Sequence, residues 1–581
     1  MSLMKSVFAV LVITAMVSVA PQAHAAPVIK VAISGSSAMW QSMALAAYNG
    51  GTCISGGTAP CFHYTSGSNF NLVDSRPASK GGSSVTDTGA AWIVWDSAAN
   101  TNIWVYLKVD SVVGVRCYFA NPRCKISVST FPTPGNQISS KLWGDTSLDS
   151  TPPSAVQAVF TSGTSVNTGA TDIRPEDAAF AECRANSALG GGPDGLAGIG
   201  YGINASGVCP SFGAALANLQ GTTVLSGYPG STSTAANLAF NISGHDPFTN
   251  NNIPAATTVS VGAAPIIFIT NRTGALAGVN NATDGQLQTA FSGADCRGSV
   301  FSGGTSGNIQ VYLREPTSGT MNTTEYNVFR YPDFSGASQE TGVNGANPLA
   351  AAPCTIGGGR TGTIGTGEEV KAVLNSNANF GTDGIGYTFF SYGNISSIGN
   401  NASYGYLQLN GVDGIFHKWG TTIDPGQPAI AGALPSSATL PAACAADFPC
   451  AENQIWSGSL SFPNLRNGSY RAWSIVRVVS NGTALTNAKL LVTGAQKYNV
   501  TAVPDFVPAV KVAGTPSDPG LALLRSHYTR VGVAPVNISG AGDKGGDVAG
   551  CILTSTGVAA TTDTTTKLAQ AAPGSACVLV P

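Results

Sequence analysis

The chain reads as an α/β protein built on mixed sheets. Three observations predict this. Short β-branched runs recur, several are closed by turns of small residues, and apolar residues at helical spacing follow those turns. Residues 28–33 predict a strand, Ser34-Gly35-Ser36-Ser37 a turn, and residues 38–48 a helix with Met39, Met43, Ala46 and Ala47 on one face. Tyr64-Thr65-Ser66-Gly67-Ser68 reads as a second such turn, before residues 69–73. Asn167-Thr168-Gly169-Ala170-Thr171-Asp172 reads as a third, before a helix over 175–185 whose Pro175 and Glu176 suit a first turn. Between the second and third turns, residues 91–95, 103–109 and 112–119 are apolar and β-rich. They predict a twisted antiparallel insert spanning about 74–165.

Residues 186–262 are rich in Gly, Ser, Asn and Ala and read as long loops with short helices. Residues 265–270 predict a buried strand, 287–291 a short helix, 309–313 a strand and 321–330 a helix start. Further on, 368–377 reads as helix, and 384–390 and 470–479 as strands; 509–512 and 520–528 close the chain. No repeat period suggests a solenoid.

The 581 residues suffice for two or more packed domains. Charged residues are only 10% and the formal net charge is −2, which gives nucleic acid no basic surface to bind. Residues 1–25 read as a cleavable secretory signal, with Lys5 as the positive start, residues 6–20 as the apolar core and Ala23-His24-Ala25 as the cleavage site. No Cys adjoins that site, so no lipid anchor is expected, and the location expected is periplasmic or secreted. The 12 Cys all follow the signal, an even count that argues for disulfides, with sequence neighbours pairing as the simplest connectivity. No Cys-x-x-Cys occurs, and no metal or cofactor is expected. His63, His245, His417 and His527 are widely spread, with no His-x-His and no Gly-x-Ser-x-Gly, so hydrolytic chemistry has little support and no enzyme is expected.

The most informative stretch is Arg314-Glu315-Pro316-Thr317-Ser318-Gly319-Thr320, set between a strand and a helix start. Thr317 and Ser318 are N-cap types, Gly319 permits close backbone approach, and Arg314 carries a planar fork of donors suited to two oxygens of a tetrahedral anion. Together they read as an oxyanion cradle.

Arg-x-x-x-Ser-Gly-Thr before a helix resembles the phosphate-binding proteins of bacterial phosphate-specific ABC transport. So do Gly35-Ser36-Ser37-Ala38-Met39-Trp40, Gly169-Ala170-Thr171-Asp172, Gly384-Ile385-Gly386-Tyr387 and Val412-Asp413-Gly414-Ile415, in the expected order. The resemblance implies a two-lobed periplasmic-binding-protein fold of type II, with mixed central sheets flanked by helices. Residues 26–267 would begin the first lobe, 268–472 would form the second, and 473–581 would return to the first and extend it. The hinge crossings would lie near 266–270 and 471–475. Inorganic phosphate would sit between the lobes, bound by Ser37, the amides of Met39 and Trp40, Thr65 or Ser66, and Asp172 from the first lobe. Arg314, Ser318, Gly319 and Thr320 would hold it from the second. Asp172 would accept a hydrogen bond from the proton of monohydrogen phosphate and so repel sulfate, which has none. Met39-Trp40 departs from the family, which commonly has a hydroxyl residue followed by phenylalanine there. The implied partners are the membrane subunits of an ABC permease, with the binding protein itself a monomer. Two other readings stay open: a surface adhesive or structural protein on the same fold, and a secreted phosphatase.

Overall fold

The computed structural model describes residues 26–48, 60–79, 84–138, 148–172, 256–315, 318–324, 352–363, 365–390, 403–416 and 472–498, with shorter pieces between and after them. The signal segment, the helix expected over 175–185 and most of 499–581 lie outside the described residues.

Alternation builds the first strand, β1 (Val28–Gly35): Val31 and Ile33 enter one apolar cluster while Ala32 enters another on the opposite face. The chain continues through α1 (Trp40–Tyr48), β2 (Cys61–Asp74), β3 (Val85–Asp96), β4 (Asn102–Lys108), α2 (Ser111–Phe119) and β5 (Thr168–Thr171). It then runs through β6 (Ala256–Asn271), α3 (Asp284–Phe291), β7 (Ile309–Arg314), α4 (Gly319–Thr324), β8 (Gly359–Thr363), α5 (Gly365–Leu374), β9 (Asp383–Phe389), β10 (Trp473–Ser480) and α6 (Gly482–Tyr498).

These strands form one mixed sheet in the order β8-β7-β9-β6-β10-β5-β1-β4-β3-β2, with short strands added at its edges. Two parallel triplets stand in it. β1 pairs in parallel with β4 and β5, and β7 pairs in parallel with β8 and β9. The antiparallel strands β6 and β10 lie between the triplets. β6 is 16 residues long; its first part pairs with β10 and its last part, from Ile266 to Thr270, with β9. It therefore runs from one half of the sheet into the other. Helices cover both faces of each half: α1 and α6 share a cluster with Val31 and Ile33, α2 packs on Ala32, and α5 and α3 lie on opposite faces beside β7. The class is mixed α/β, as the sequence predicts.

The structure corrects two local expectations. Residues 112–119 form helix α2 rather than a strand, because Val112, Val113 and Val115 pack on β1 at helical spacing beneath the Asp110 N-cap position. Residues 64–68 form no turn before 69–73; both stretches lie inside β2, where the pairing with β3 shifts register between Thr65 and Ser68. The strands of the β-rich segment extend the central sheet, β4 beside β1 and then β3 and β2. Cys117–Cys124 and Cys296–Cys354 are bridged, as neighbour pairing expects, and Cys61 is also disulfide-bonded.

Candidate functional site

In an open sheet, ligands gather at the carboxyl ends of parallel strands, where connections leave a central strand in opposite directions. β1 is such a strand, with β4 on one side and β5 on the other. Gly35 ends it at a φ of 137°, a backbone that side-chain-bearing residues rarely adopt, and turns the chain so that the Ser36 amide donates to the Ala170 carbonyl at 3.0 Å. The Ser36 hydroxyl accepts from the Ala38 amide at 3.1 Å and donates to Asp172 Oδ1. Ser111, which opens α2 just after β4, accepts from the Asp172 amide at 3.2 Å. The turns after β1, β4 and β5 thus meet around one buried carboxylate. Burial pushes the Asp172 carboxyl up to about 6; the Ser36 hydroxyl, the charge of Arg314 and Ser111 pull the other way.

The second triplet repeats the arrangement with different chemistry. Arg314 ends β7 and is buried. Its Nε and Nη2 donate to the two carboxylate oxygens of Glu315 at 2.8 and 2.7 Å, and Nη1 donates to Thr366 Oγ1, near the start of α5, at 3.0 Å. Ser318 caps α4: its hydroxyl accepts from the Met321 amide at 3.3 Å. Gly319 lies against the first half. A Cβ added there would stand 2.6 Å from Asp172 Oδ2 and would also strike Ser111 Oγ, so only glycine permits this approach. Beneath Arg314, Glu369 accepts from the Tyr387 amide at 3.0 Å and from the Thr363 hydroxyl. Burial pushes Glu369 up to about 7 against the opposing charge of Arg314.

Asp172, Arg314, Ser318, Gly319 and Thr320 are therefore all buried at this meeting of turns or in the helix that leaves it. Ser37, Met39 and Trp40 follow Ser36, but the Trp40 amide is spent on the Ser37 carbonyl within a short 3-10 turn. It is the Ser36 hydroxyl that bonds to Asp172.

Thr65 and Ser66 are placed elsewhere. Thr65 pairs with Trp92, Trp92 with Tyr106, and Tyr106 with Ile33, three strand spacings or ~14 Å from β1. The Thr65 hydroxyl is held by Asp149, and that of Ser66 accepts from the Ala91 amide at 3.0 Å. Ser111 stands where the second turn of the first half was expected. The signal for it was present: Asp110-Ser111 is a helix-start pair between an apolar strand and an apolar run.

No family model and no curated protein matches the chain. Distant likenesses exist among solved structures. A Clostridium perfringens ABC-transporter substrate-binding protein with bound phosphate is 18% identical, with 41% of this chain and 65% of that one covered and a TM-score of 0.25. An ABC-type phosphate transport receptor from Vibrio cholerae is 14% identical over 42% and 68%, with a TM-score of 0.24. An ancestral soluble variant of the human phosphate-binding protein is 12% identical over 85% and 91%, with a TM-score of 0.33. The chain thus spans just under two thirds of the first of these. Such identities and TM-scores assign it to no family. Among the described residues no helix is long and apolar enough to cross a membrane.

Proposed function

We propose that the chain is an exported solute-binding protein that captures inorganic phosphate between the two halves of its sheet and delivers it to an ABC permease. The observation that carries this reading is the convergence of Ser36, Ser111 and Asp172 from one parallel triplet on Gly319 from the other, within electrostatic reach of Arg314. In this reading residues 26–267 and the return from 473 make the first lobe, and 268–472 the second. Phosphate is gripped by Arg314, Ser318, Gly319 and Thr320 on one side and by Ser36, Ser37, Ser111 and Asp172 on the other.

Each polar group has a task. A guanidinium has five N–H donors, of which Glu315 and Thr366 take three, so two remain for ligand oxygens. Glu315 offsets the arginine's charge, so the ligand is held mainly by hydrogen bonds. Asp172, ionised above about 6, accepts a hydrogen bond from the O–H that monohydrogen phosphate carries and sulfate lacks. The test is calorimetric titration of the mature chain with phosphate and with sulfate. Phosphate is expected to bind and sulfate to be rejected, with Asp172→Asn narrowing the gap between them. Indifference to phosphate, or equal affinity for both ions, overturns the proposal.

A further inference from the structure

The turn after β1 is fastened from within the sheet by two aromatic side chains. Trp92 on β3 and Tyr106 on β4 are paired across the two strands, with ring centroids 5.9 Å apart, and both are fully buried. The Trp92 indole N–H donates to the Trp40 carbonyl, at the start of α1, at 2.8 Å. The Tyr106 hydroxyl donates to the Ser36 carbonyl. Burial, with the charge of Asp172 acting the same way, pushes that hydroxyl well above its usual range, so it keeps its proton and remains a donor. Trp92 thus fixes where α1 begins, and Tyr106 fixes the peptide plane that follows Ser36.

A trans peptide is planar, and its C=O and N–H point in opposite directions. The Ser36–Ser37 bond is trans. With the Ser36 carbonyl held by Tyr106 in the core, the Ser37 N–H is turned away from that core. The neighbouring amides are already engaged: that of Ala38 donates to the Ser36 hydroxyl at 3.1 Å, and that of Trp40 to the Ser37 carbonyl. The Ser37 amide meets no acceptor among the described residues, and Ser37 is partly exposed. We propose that Tyr106 is a positioning residue that aims the Ser37 amide at the anion, while Trp92 holds the start of α1 in place. The inference rests on the phosphate reading above and names the backbone donor of the first half. Were this peptide flipped, the Ser36 carbonyl would stand where the amide does, an acceptor in the place of a donor.

The experiment compares the mature chain with Tyr106→Phe and, as a control, Tyr64→Phe. Tyr64 is a buried tyrosine of β2 whose hydroxyl donates to the Pro132 carbonyl at 3.1 Å. Each variant keeps its ring and loses one buried hydroxyl bond, so a purely structural role predicts similar losses of thermal stability and no change in affinity. Calorimetric titration with inorganic phosphate is expected to show binding about tenfold weaker in Tyr106→Phe and unchanged in Tyr64→Phe. With the serine amides isotopically labelled, and Ser37→Ala used to identify the signal, the Ser37 amide proton should move downfield on phosphate addition. It should move less in Tyr106→Phe. Wild-type affinity in Tyr106→Phe, or a Ser37 amide in the wild type that ignores bound phosphate, overturns the assignment. Ligand-free crystal structures of the wild type and Tyr106→Phe test the clamp separately. The Ser36–Ser37 peptide should be rotated in the variant, and an unmoved peptide overturns the positioning role. A wild type without phosphate heat rejects the phosphate reading, and the two crystal structures then rule on the clamp alone.

Discussion

The two parallel triplets solve opposite halves of one problem. Around β1, three separate turns bring two hydroxyls and a carboxylate together, and Asp172 is the hub that Ser36 and Ser111 touch. Around β7, a single turn supplies a guanidinium whose counter-charge is the next residue, Glu315. One side is an acceptor surrounded by hydroxyls; the other is a set of donors already neutralised. The difference teaches that charge on the β7 side is settled within its own half, whereas the β1 side depends on Arg314 across the gap for electrostatic support.

The largest break comes from the donor side. Arg314→Ala removes charge-assisted bonds worth about 1.5–3 kcal/mol each and strands Glu315, buried, without its cation. Phosphate affinity should fall about 100-fold or more in calorimetry; an unchanged dissociation constant removes Arg314 from the site. Gly319→Ala attacks the contact between the halves. Its methyl would meet Asp172 Oδ2 and stand 2.8 Å from Asp172 Cβ, and forced overpacking costs roughly 1–3 kcal/mol. A loss of about tenfold in phosphate affinity with little change in thermal stability is expected. A large stability loss with intact affinity would mean that the halves do not close on Gly319.

A paired comparison sharpens the β1 side, and it also shows what sequence could disclose. The β7 side was readable because its residues are contiguous, from Arg314 to Thr320. The β1 side is assembled from positions 36, 111 and 172, which only the sheet order brings together. Two of its three turns were found by their small residues. The third was displaced, because the hairpin β2–β3 separates β1 from its parallel neighbour β4, and because an apolar run such as 112–119 fits a strand or a buried helix equally well until its packing is seen. The pair of variants therefore discriminates between two addresses for one role. Ser111→Ala should weaken phosphate binding by about 1 kcal/mol, or fivefold, while Thr65→Ala should leave the dissociation constant unchanged and lower stability through its lost bond to Asp149. The reverse pattern would restore Thr65 to the site.

The smallest effect lies beneath the β7 side and reads out in stability. Glu369 binds its proton more tightly when folded, about 7 against an ordinary 4.5, because burial disfavours its charge. A carboxyl raised in this way contributes most below the unfolded value, and stability falls as pH rises from about 4.5 through about 7. Asp172 shifts in the same direction, toward about 6, so it adds to the slope at the lower end. Glu369→Gln should fit: its carbonyl can accept from the Tyr387 amide, and its amide can donate to Thr363, whose hydroxyl has the Leu313 carbonyl as a second acceptor at 3.1 Å. The variant loses the charge and keeps the packing. Denaturant midpoints measured at pH 4.5, 6 and 7.5 should therefore fall less steeply than in the wild type, the two proteins diverging by roughly 3 kcal/mol at the upper end. Parallel slopes would mean that Glu369 is ionised in the folded protein, paired with Arg314 in place of Glu315, and the division of charge between the two triplets would have to be redrawn.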